Sequence, residues 1–383
     1  MNGKNESINL MIIAGEISGD LIGAPLIKEL KKLNSSISFT GIGGEKMKAE
    51  GMQILFHINQ MAFLGLAEVI KHLPFIKQVQ KKIIEEIKTR NIRTVVLIDY
   101  PGFNLSIAKK LKSIGVKVIY YVSPQLWAWG KGRLKKIKKL VDKMLVVFPF
   151  EEQLYKEKQI EVEFVGHPLV ERIVEYTFLD KQKFFEKFNI DQQKEILLVM
   201  PGSRKQEVEK IFPESIKAAH KLANDFNLQV VVAGSTNINN EIFFKYADKN
   251  SFSIVKGFNY ELMKYSKFGI IKSGTSTLEA GYFELPMVVV YKTNALTYLI
   301  GRSLIKVQNL GMVNILLGNN SVPELIQSKV SFEEIYKICS RYLLDSTAYD
   351  NIKEKLKGIK EILGVGGASM KAASAVNKLI HEY

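Results

Sequence analysis

Short apolar runs recur along this chain, nearly continuous in Val, Ile and Leu, and most of them end in a Gly, Ser, Thr or Asp. The first covers residues 10–14 (LMIIA); others follow in SISFTGIGG, in residues 94–98 (TVVLI), in VKVIYY and in KMLVVF. Between them the apolar positions fall at helical spacing, as in the stretch opening near Leu21 and that over residues 76–88. Strands that are unbroken rather than alternating, each followed by a helix, predict parallel sheet covered on both faces. A second series begins near Lys194 with EILLVM, LQVVVAG, FSIVKG, residues 268–271 and residues 287–290. The pattern predicts an α/β protein of two doubly wound halves joined around residues 168–188. A helical tail follows, broken at Gly364-Val365-Gly366-Gly367. The expected division is residues 1–170, 171–350 and 351–383.

Composition narrows this picture. The chain has 383 residues, enough for two cores, and 54 Lys and Arg against 39 Asp and Glu leave it at +15. Such a charge suits nucleic acid, an anionic membrane surface or a phosphorylated substrate. The single cysteine, Cys339, excludes an internal disulfide framework and sits in a helical pattern as a small packed residue. Five scattered histidines show no metal-ligand spacing, so no metal site is expected. No apolar run approaches the roughly 18 residues of a membrane span. The polar N-terminal tail and the short run before Glu16 and Asp20 predict a first strand rather than a signal peptide.

In open α/β sheets ligands bind outside the carboxyl ends of the strands, which makes the strand-end turns the candidate chemistry. In KFGIIKSGTSTLEAGYFELPMVVVY the turn Ser273-Gly274-Thr275 lies where strand becomes helix, so backbone N–H groups and the positive helix end can meet an anion. Glu279, one turn further in, is a carboxylate able to accept from a ribose diol, and phosphate plus ribose suggests a nucleotide. Pro201-Gly202-Ser203-Arg204 ends the first strand of the second half, where an arginine can grip a diphosphate bidentately. Gly234-Ser235 forms a third turn there. In the first half Asp99 ends a strand before Pro101-Gly102, which fits either a general base or a cap for the next helix. Glu16 and Asp20 compete for the base role, while His72 and His167 are expected to be structural. No strand is followed by a true GxGxxG, which weakens a dehydrogenase reading. Two such halves with facing loops make a cleft, the plan of GT-B glycosyltransferases.

Residues 61–77 (MAFLGLAEVIKHLPFIK) place Phe63, Leu64, Leu66, Val69 and Phe75 where they suit acyl chains or a bilayer interface, or else a buried helix. The basic run GKGRLKKIKKLVDKM fits an anionic surface, though nucleic acid or plain solvent would also accept it. Trp127 and Trp129 fit interfacial anchors or core.

With these blocks assembled, the chain resembles the lipid-A-disaccharide synthase family from end to end. The resemblance rests on AGEISGD, FLGLAEVIKHLP, IDYPGFN, SPQLWAW, FVGHP, PGSRKQEVE, SGTSTLEAGYFELPMVVVYK and VNILLGN. It implies an inverting GT-B transferase that joins UDP-2,3-diacylglucosamine to 2,3-diacylglucosamine 1-phosphate in a β-1,6 linkage and releases UDP. Carried onto this sequence, Ser203, Arg204, Ser273, Gly274, Thr275, Glu279 and Asn314 would hold UDP. Asp99 would be the catalytic base, and Glu16, Ser18 and Asp20 would line the acceptor side. The resemblance further implies no metal or other cofactor and no nucleic-acid partner. It implies peripheral attachment at the cytoplasmic face of an anionic inner membrane, a final helix returning to the first domain, and in some members a homodimer. The competing expectations are another GT-B enzyme, such as a peptidoglycan N-acetylglucosaminyltransferase or a UDP-sugar 2-epimerase, or a non-catalytic scaffold using the positive charge. The GGxGGH-like first loop of the peptidoglycan enzyme differs from AGEISGD.

Overall fold

The protein is described by a computed structural model covering residues 8–61, 72–124, 132–294, 298, 309–318 and 320–381. The chain divides into two compact units, Met1–Val174 with Leu363–Tyr383, and Glu175–Ile362.

Unit 1 is built on a seven-stranded sheet of β1 (Ile8–Ala14), β2 (Ile37–Gly43), β3 (Gln53–His57), β4 (Thr94–Ile98), β5 (Lys117–Tyr121), β6 (Lys143–Val146) and β7 (Val162–Phe164). Its spatial order is β3-β2-β1-β4-β5-β6-β7, and every pairing is parallel. The unbroken apolar runs are unbroken because both faces are covered: Leu10 to Ala14 and Val95 to Ile98 have no exposed surface. On one face the helices Leu73–Thr89 and Pro101–Ser113 contribute Val79, Ile83, Phe103, Ile107 and Leu111 to a core with Met11, Ile13, Val95 and Leu97. The helix Ile17–Leu33 buries Leu26, Ile27 and Leu30 and packs with the last helix, Ala368–His381. Glu171 caps that last helix, accepting from Ser369 N at 3.2 Å and Ser369 Oγ at 2.5 Å.

Unit 2 carries a six-stranded parallel sheet of β8 (Glu195–Met200), β9 (Leu228–Gly234), β10 (Ser253–Lys256), β11 (Ser266–Lys272), β12 (Met287–Tyr291) and β13 (Glu324–Ile326), in the order β10-β9-β8-β11-β12-β13. Its core joins Leu197, Val199, Phe268, Ile270 and Val288 to the helix Lys205–Asp225 through Phe212 and Ile216. Cys339 is fully buried there, and burial pushes its thiol above the usual range, the state of an inert packed residue. The helix Ser346–Leu363 belongs to unit 2, where Tyr349 Oη donates to Lys267 O at 2.8 Å. Leu356 and Ile359 of that helix lie against Gly281. The break expected at residue 351 therefore falls at Leu363, because this helix has a buried face of its own in unit 2.

Each sheet starts in its middle and grows first to one side, then to the other. The reversal lies between β1 and β4 in unit 1 and between β8 and β11 in unit 2. Crevices at the carboxyl ends of the strands open at such switch points. There the sequence places Gly15-Glu16 and Asp99 in unit 1, and Gly202-Ser203-Arg204 and Ser273-Gly274 in unit 2.

Candidate active site

In unit 2 the carboxyl ends of β8, β9 and β11 surround a cavity of about 480 Å³, lined in part by Ser203, Arg204, Ser235, Lys272, Gly274 and Thr275. The turn after β8 is set by Gly202, whose φ of +124° lies in the region that favours glycine. A Cβ there would come within 2.5 Å of Glu207 Oε2. That approach lets Glu207, in the first turn of Lys205–Asp225, reach back and accept from Ser203 N at 3.0 Å and Arg204 N at 3.3 Å. Its other oxygen, Oε1, meets Lys272 Nζ at 2.9 Å. Burial would raise the Glu207 carboxyl, but the hydrogen bond and charge of Lys272, with the Ser203 N–H and Arg204, bring it below its ordinary value. Arg204 itself remains exposed. The helix Thr275–Tyr282 opens at Gly274, so its free N–H groups border the same space.

Of the expected nucleotide residues, the structure therefore gathers Ser203, Arg204, Gly274 and Thr275. It uses two others differently. Ser273 is buried and its hydroxyl donates to Leu310 O at 2.9 Å, so it ties the strand end to a neighbouring segment. Asn314 is fully buried: Nδ2 donates to Val322 O at 2.8 Å and Glu324 Oε1 at 2.7 Å, and Oδ1 accepts from Val322 N at 2.9 Å. Both donors of its amide are used, so Asn314 braces the segments that carry Val322 and Glu324. Glu324 in turn accepts from Leu310 N and Gly311 N at 2.8 and 3.0 Å. Glu279 is half-buried on Thr275–Tyr282 and is not among the residues lining the cavity. Lys272 and Asn259 line it without having been singled out from the sequence. A lysine ending an apolar strand is the signal that was available for the first.

In unit 1, Asp99 and Tyr100 both sit at φ +47°, two consecutive non-glycine residues in the left-handed region. The strain is held from outside: Asn104 Nδ2 and Tyr120 Oη donate to Asp99 O at 2.7 and 2.6 Å. Tyr100 lies over Gly15, where an added Cβ would come within 2.1 Å of its ring. Backbone strain of this kind is characteristic of functional positions. Burial, reinforced by the Glu16 carboxylate and partly offset by the Tyr100 N–H, lifts Asp99 to about 6. Glu16, at the N-cap of the helix Ile17–Leu33, and Ser18, in its first turn, are exposed. Asp20 is buried, and its oxygens accept from Gly44 N, Lys46 N and Met47 N at 2.8, 3.1 and 3.0 Å, which fixes the turn after β2. His167 is held down to about 3 by burial and Arg172, and its Nδ1 accepts from Leu169 N at 3.1 Å.

Phe63, Leu64, Leu66, Val69, Trp127 and Trp129 lie outside the described residues. Phe75 is half-buried and meets Phe56 edge to face at 6.1 Å. In the helix Gly132–Leu140, Lys135, Lys136, Lys138 and Lys139 are exposed while Ile137 is buried. No helix among the described residues is long and apolar enough to cross a membrane.

A family model described as "Lipid-A-disaccharide synthetase" matches residues 10–379. Proteins named "Lipid-A-disaccharide synthase" from Geobacter sulfurreducens and Geobacter metallireducens are 37% and 36% identical, each over 98% or more of both chains. Among solved structures, a UDP-GlcNAc 2-epimerase from Neisseria meningitidis bound to UDP-GlcNAc superposes with TM-score 0.67 at 14% identity, covering 97% of this chain and 100% of that one. The calicheamicin glycosyltransferase CalG4 gives 0.61 at 14% identity, covering 98% and 99%. These structural likenesses establish the fold, that of GT-B glycosyltransferases and related epimerases.

Proposed function

Because this chain belongs to the lipid-A-disaccharide synthase family, glycosyltransferases of lipid A biosynthesis, we propose that it joins UDP-2,3-diacylglucosamine to 2,3-diacylglucosamine 1-phosphate with inversion. The products are the β-1,6-linked disaccharide 1-phosphate and UDP. The observation that carries the donor assignment is the unit 2 cavity, where Arg204, Lys272 and the open end of Thr275–Tyr282 converge on one polar hollow. Such a set favours the charge that develops on a departing diphosphate. Ser203, Gly274 and Thr275 contribute contacts around it, and Glu279 is the proposed ribose acceptor.

Asp99 is the proposed base. It takes the proton of the acceptor's 6-hydroxyl as that oxygen bonds to the donor's anomeric carbon and the bond to UDP breaks. A pKa near 6 leaves it ionised at neutral pH yet closer to the working pH than an ordinary carboxylate. Glu16 and Ser18 are proposed to line the acceptor side. The reaction as proposed needs no metal or other cofactor, and nucleic acid is not a partner.

The exposed lysines of Gly132–Leu140 and the +15 charge support peripheral binding to an anionic membrane surface, proposed as the cytoplasmic face of the inner membrane. Phe63, Leu64, Leu66, Val69 and Phe75 are proposed to meet acyl chains, and a homodimer is consistent with the family expectation. Incubation with the two diacyl sugars tests the reaction: disaccharide 1-phosphate and UDP in equal amounts are expected, and free epimerised sugar without disaccharide would overturn it.

A further inference from the structure

Lys272 ends β11 and lines the unit 2 cavity. Its ammonium lies 2.9 Å from Glu207 Oε1, with 23% of the side chain exposed. A Cβ built on Gly274 would come to 3.7 Å from the same nitrogen. The ammonium thus sits between a fixed carboxylate and the backbone that opens Thr275–Tyr282. Arg204 approaches Oε1 as well, at 3.9 Å, while the other carboxylate oxygen is occupied by the N–H groups of Ser203 and Arg204. Two cations therefore share one anion, and the wall of the hollow keeps a surplus positive charge.

We propose that Lys272 is a further diphosphate-binding residue, held ready by Glu207 in the free protein and turned to phosphate oxygens when a nucleoside diphosphate enters. The inference rests on the donor-site reading above and deepens it. An ammonium is a compact charge with three donors on a flexible stem, so it can keep one hydrogen bond to Glu207 and give the others to the ligand. Glu207 stays in place because two backbone N–H groups hold it. By keeping the lysine extended toward the cavity beforehand, it lowers the ordering cost of binding. The surplus charge favours a diphosphate over an uncharged nucleoside.

The test compares the parent, Lys272→Met and Lys272→Arg for binding of UDP, uridine and inorganic pyrophosphate at low and high salt. Lys272→Met is expected to weaken UDP and pyrophosphate by about tenfold or more, the value of one charge-assisted hydrogen bond, and to flatten the salt dependence. Uridine affinity stays within about twofold, and Lys272→Arg keeps most of the diphosphate affinity. Equal losses for UDP and uridine, or unchanged pyrophosphate binding, overturn the proposal. Because removing the ammonium also leaves Glu207 Oε1 without its nearest cation, acylation of lysines in the unaltered protein gives a second readout. UDP and pyrophosphate should protect Lys272 and uridine should not; absence of protection by either diphosphate overturns it too. A parent that binds pyrophosphate through Lys272 without preferring uridine nucleotides sinks the donor reading and leaves this one standing. Unaltered UDP affinity in Lys272→Met does the reverse.

Discussion

The buried amide of Asn104 donates to the backbone carbonyl of Asp99 at 2.7 Å, clamping a residue whose own φ is +47°. The carboxyl of Asp99 is therefore aimed by contacts made to its backbone, and its chemistry can be altered without loosening the turn. Asp99→Asn is expected to lower turnover by about 10²–10⁴-fold while UDP affinity stays within about twofold. Undiminished turnover would remove Asp99 from the base role. In the unaltered enzyme kcat/KM should rise with pH through about 6, as Asp99 ionises, and Glu16→Gln should move that limb to lower pH by removing a neighbouring negative charge. The sign for stability is opposite. A carboxyl raised on folding contributes stability at pH below its unfolded value, lost as pH climbs through about 6. Asp99→Asn should therefore be more stable than the parent at pH 8, by roughly 1–3 kcal/mol after allowance for solvent screening at this half-buried site. Thermal melts at pH 5 and pH 8 would check it.

Gly202 is the hinge of the donor hollow, since its positive φ and missing Cβ let Glu207 close on the turn. Gly202→Ala should cost roughly 1–3 kcal/mol of stability from backbone strain and the displaced carboxylate. It should also weaken UDP binding, because the N–H groups of Ser203 and Arg204 lose the acceptor that orients them. Calorimetric titration with UDP beside a denaturation curve separates the two effects; a variant that melts lower yet binds UDP as before would show that the turn only supports the fold.

The central strands were legible because burial on both faces leaves no alternation to blur them, as in residues 10–14 and 94–98. The edge strands β3, β7 and β13 were not, since each is only three to five residues long and mostly half-covered, too short a run to stand out from its surroundings. At the site, Arg204 and Gly274-Thr275 could be found from strand-end turns alone. Ser273, Asn314 and Asp20 could not be sorted in this way, because hydroxyls, amides and carboxylates serve ligands and backbone equally well. What decides is a partner distant in sequence: Leu310 for Ser273, Val322 and Glu324 for Asn314, Gly44 and Met47 for Asp20.

Asn314 offers a direct contrast between brace and ligand. Removing its amide by Asn314→Ala leaves Val322 N and Val322 O without their buried partner and loosens Glu324 from the Leu310 segment. Unsatisfied buried groups of this kind cost roughly 2–4 kcal/mol together, so the urea midpoint should fall clearly. Any loss of UDP affinity should be secondary and recover where the fold is stabilised, for example by a co-solvent such as sucrose. A variant with parental stability and selectively lost UDP binding would return Asn314 to the ligand shell.

The exposed lysines of Gly132–Leu140 separate membrane docking from catalysis. Lys135, Lys136 and Lys139 point to solvent around the buried Ile137, so neutralising them leaves the core untouched. Each lysine near an anionic surface is worth about 1 kcal/mol, and the attraction is screened by salt. The triple variant Lys135→Gln, Lys136→Gln, Lys139→Gln should therefore bind vesicles containing phosphatidylglycerol on the order of 10²-fold more weakly than the parent at low salt. The difference should shrink as salt is added, and UDP affinity in solution should be unchanged. Equal sedimentation of both proteins with such vesicles would mean that this helix is an ordinary solvated face and that the contact with lipid is made elsewhere on the chain.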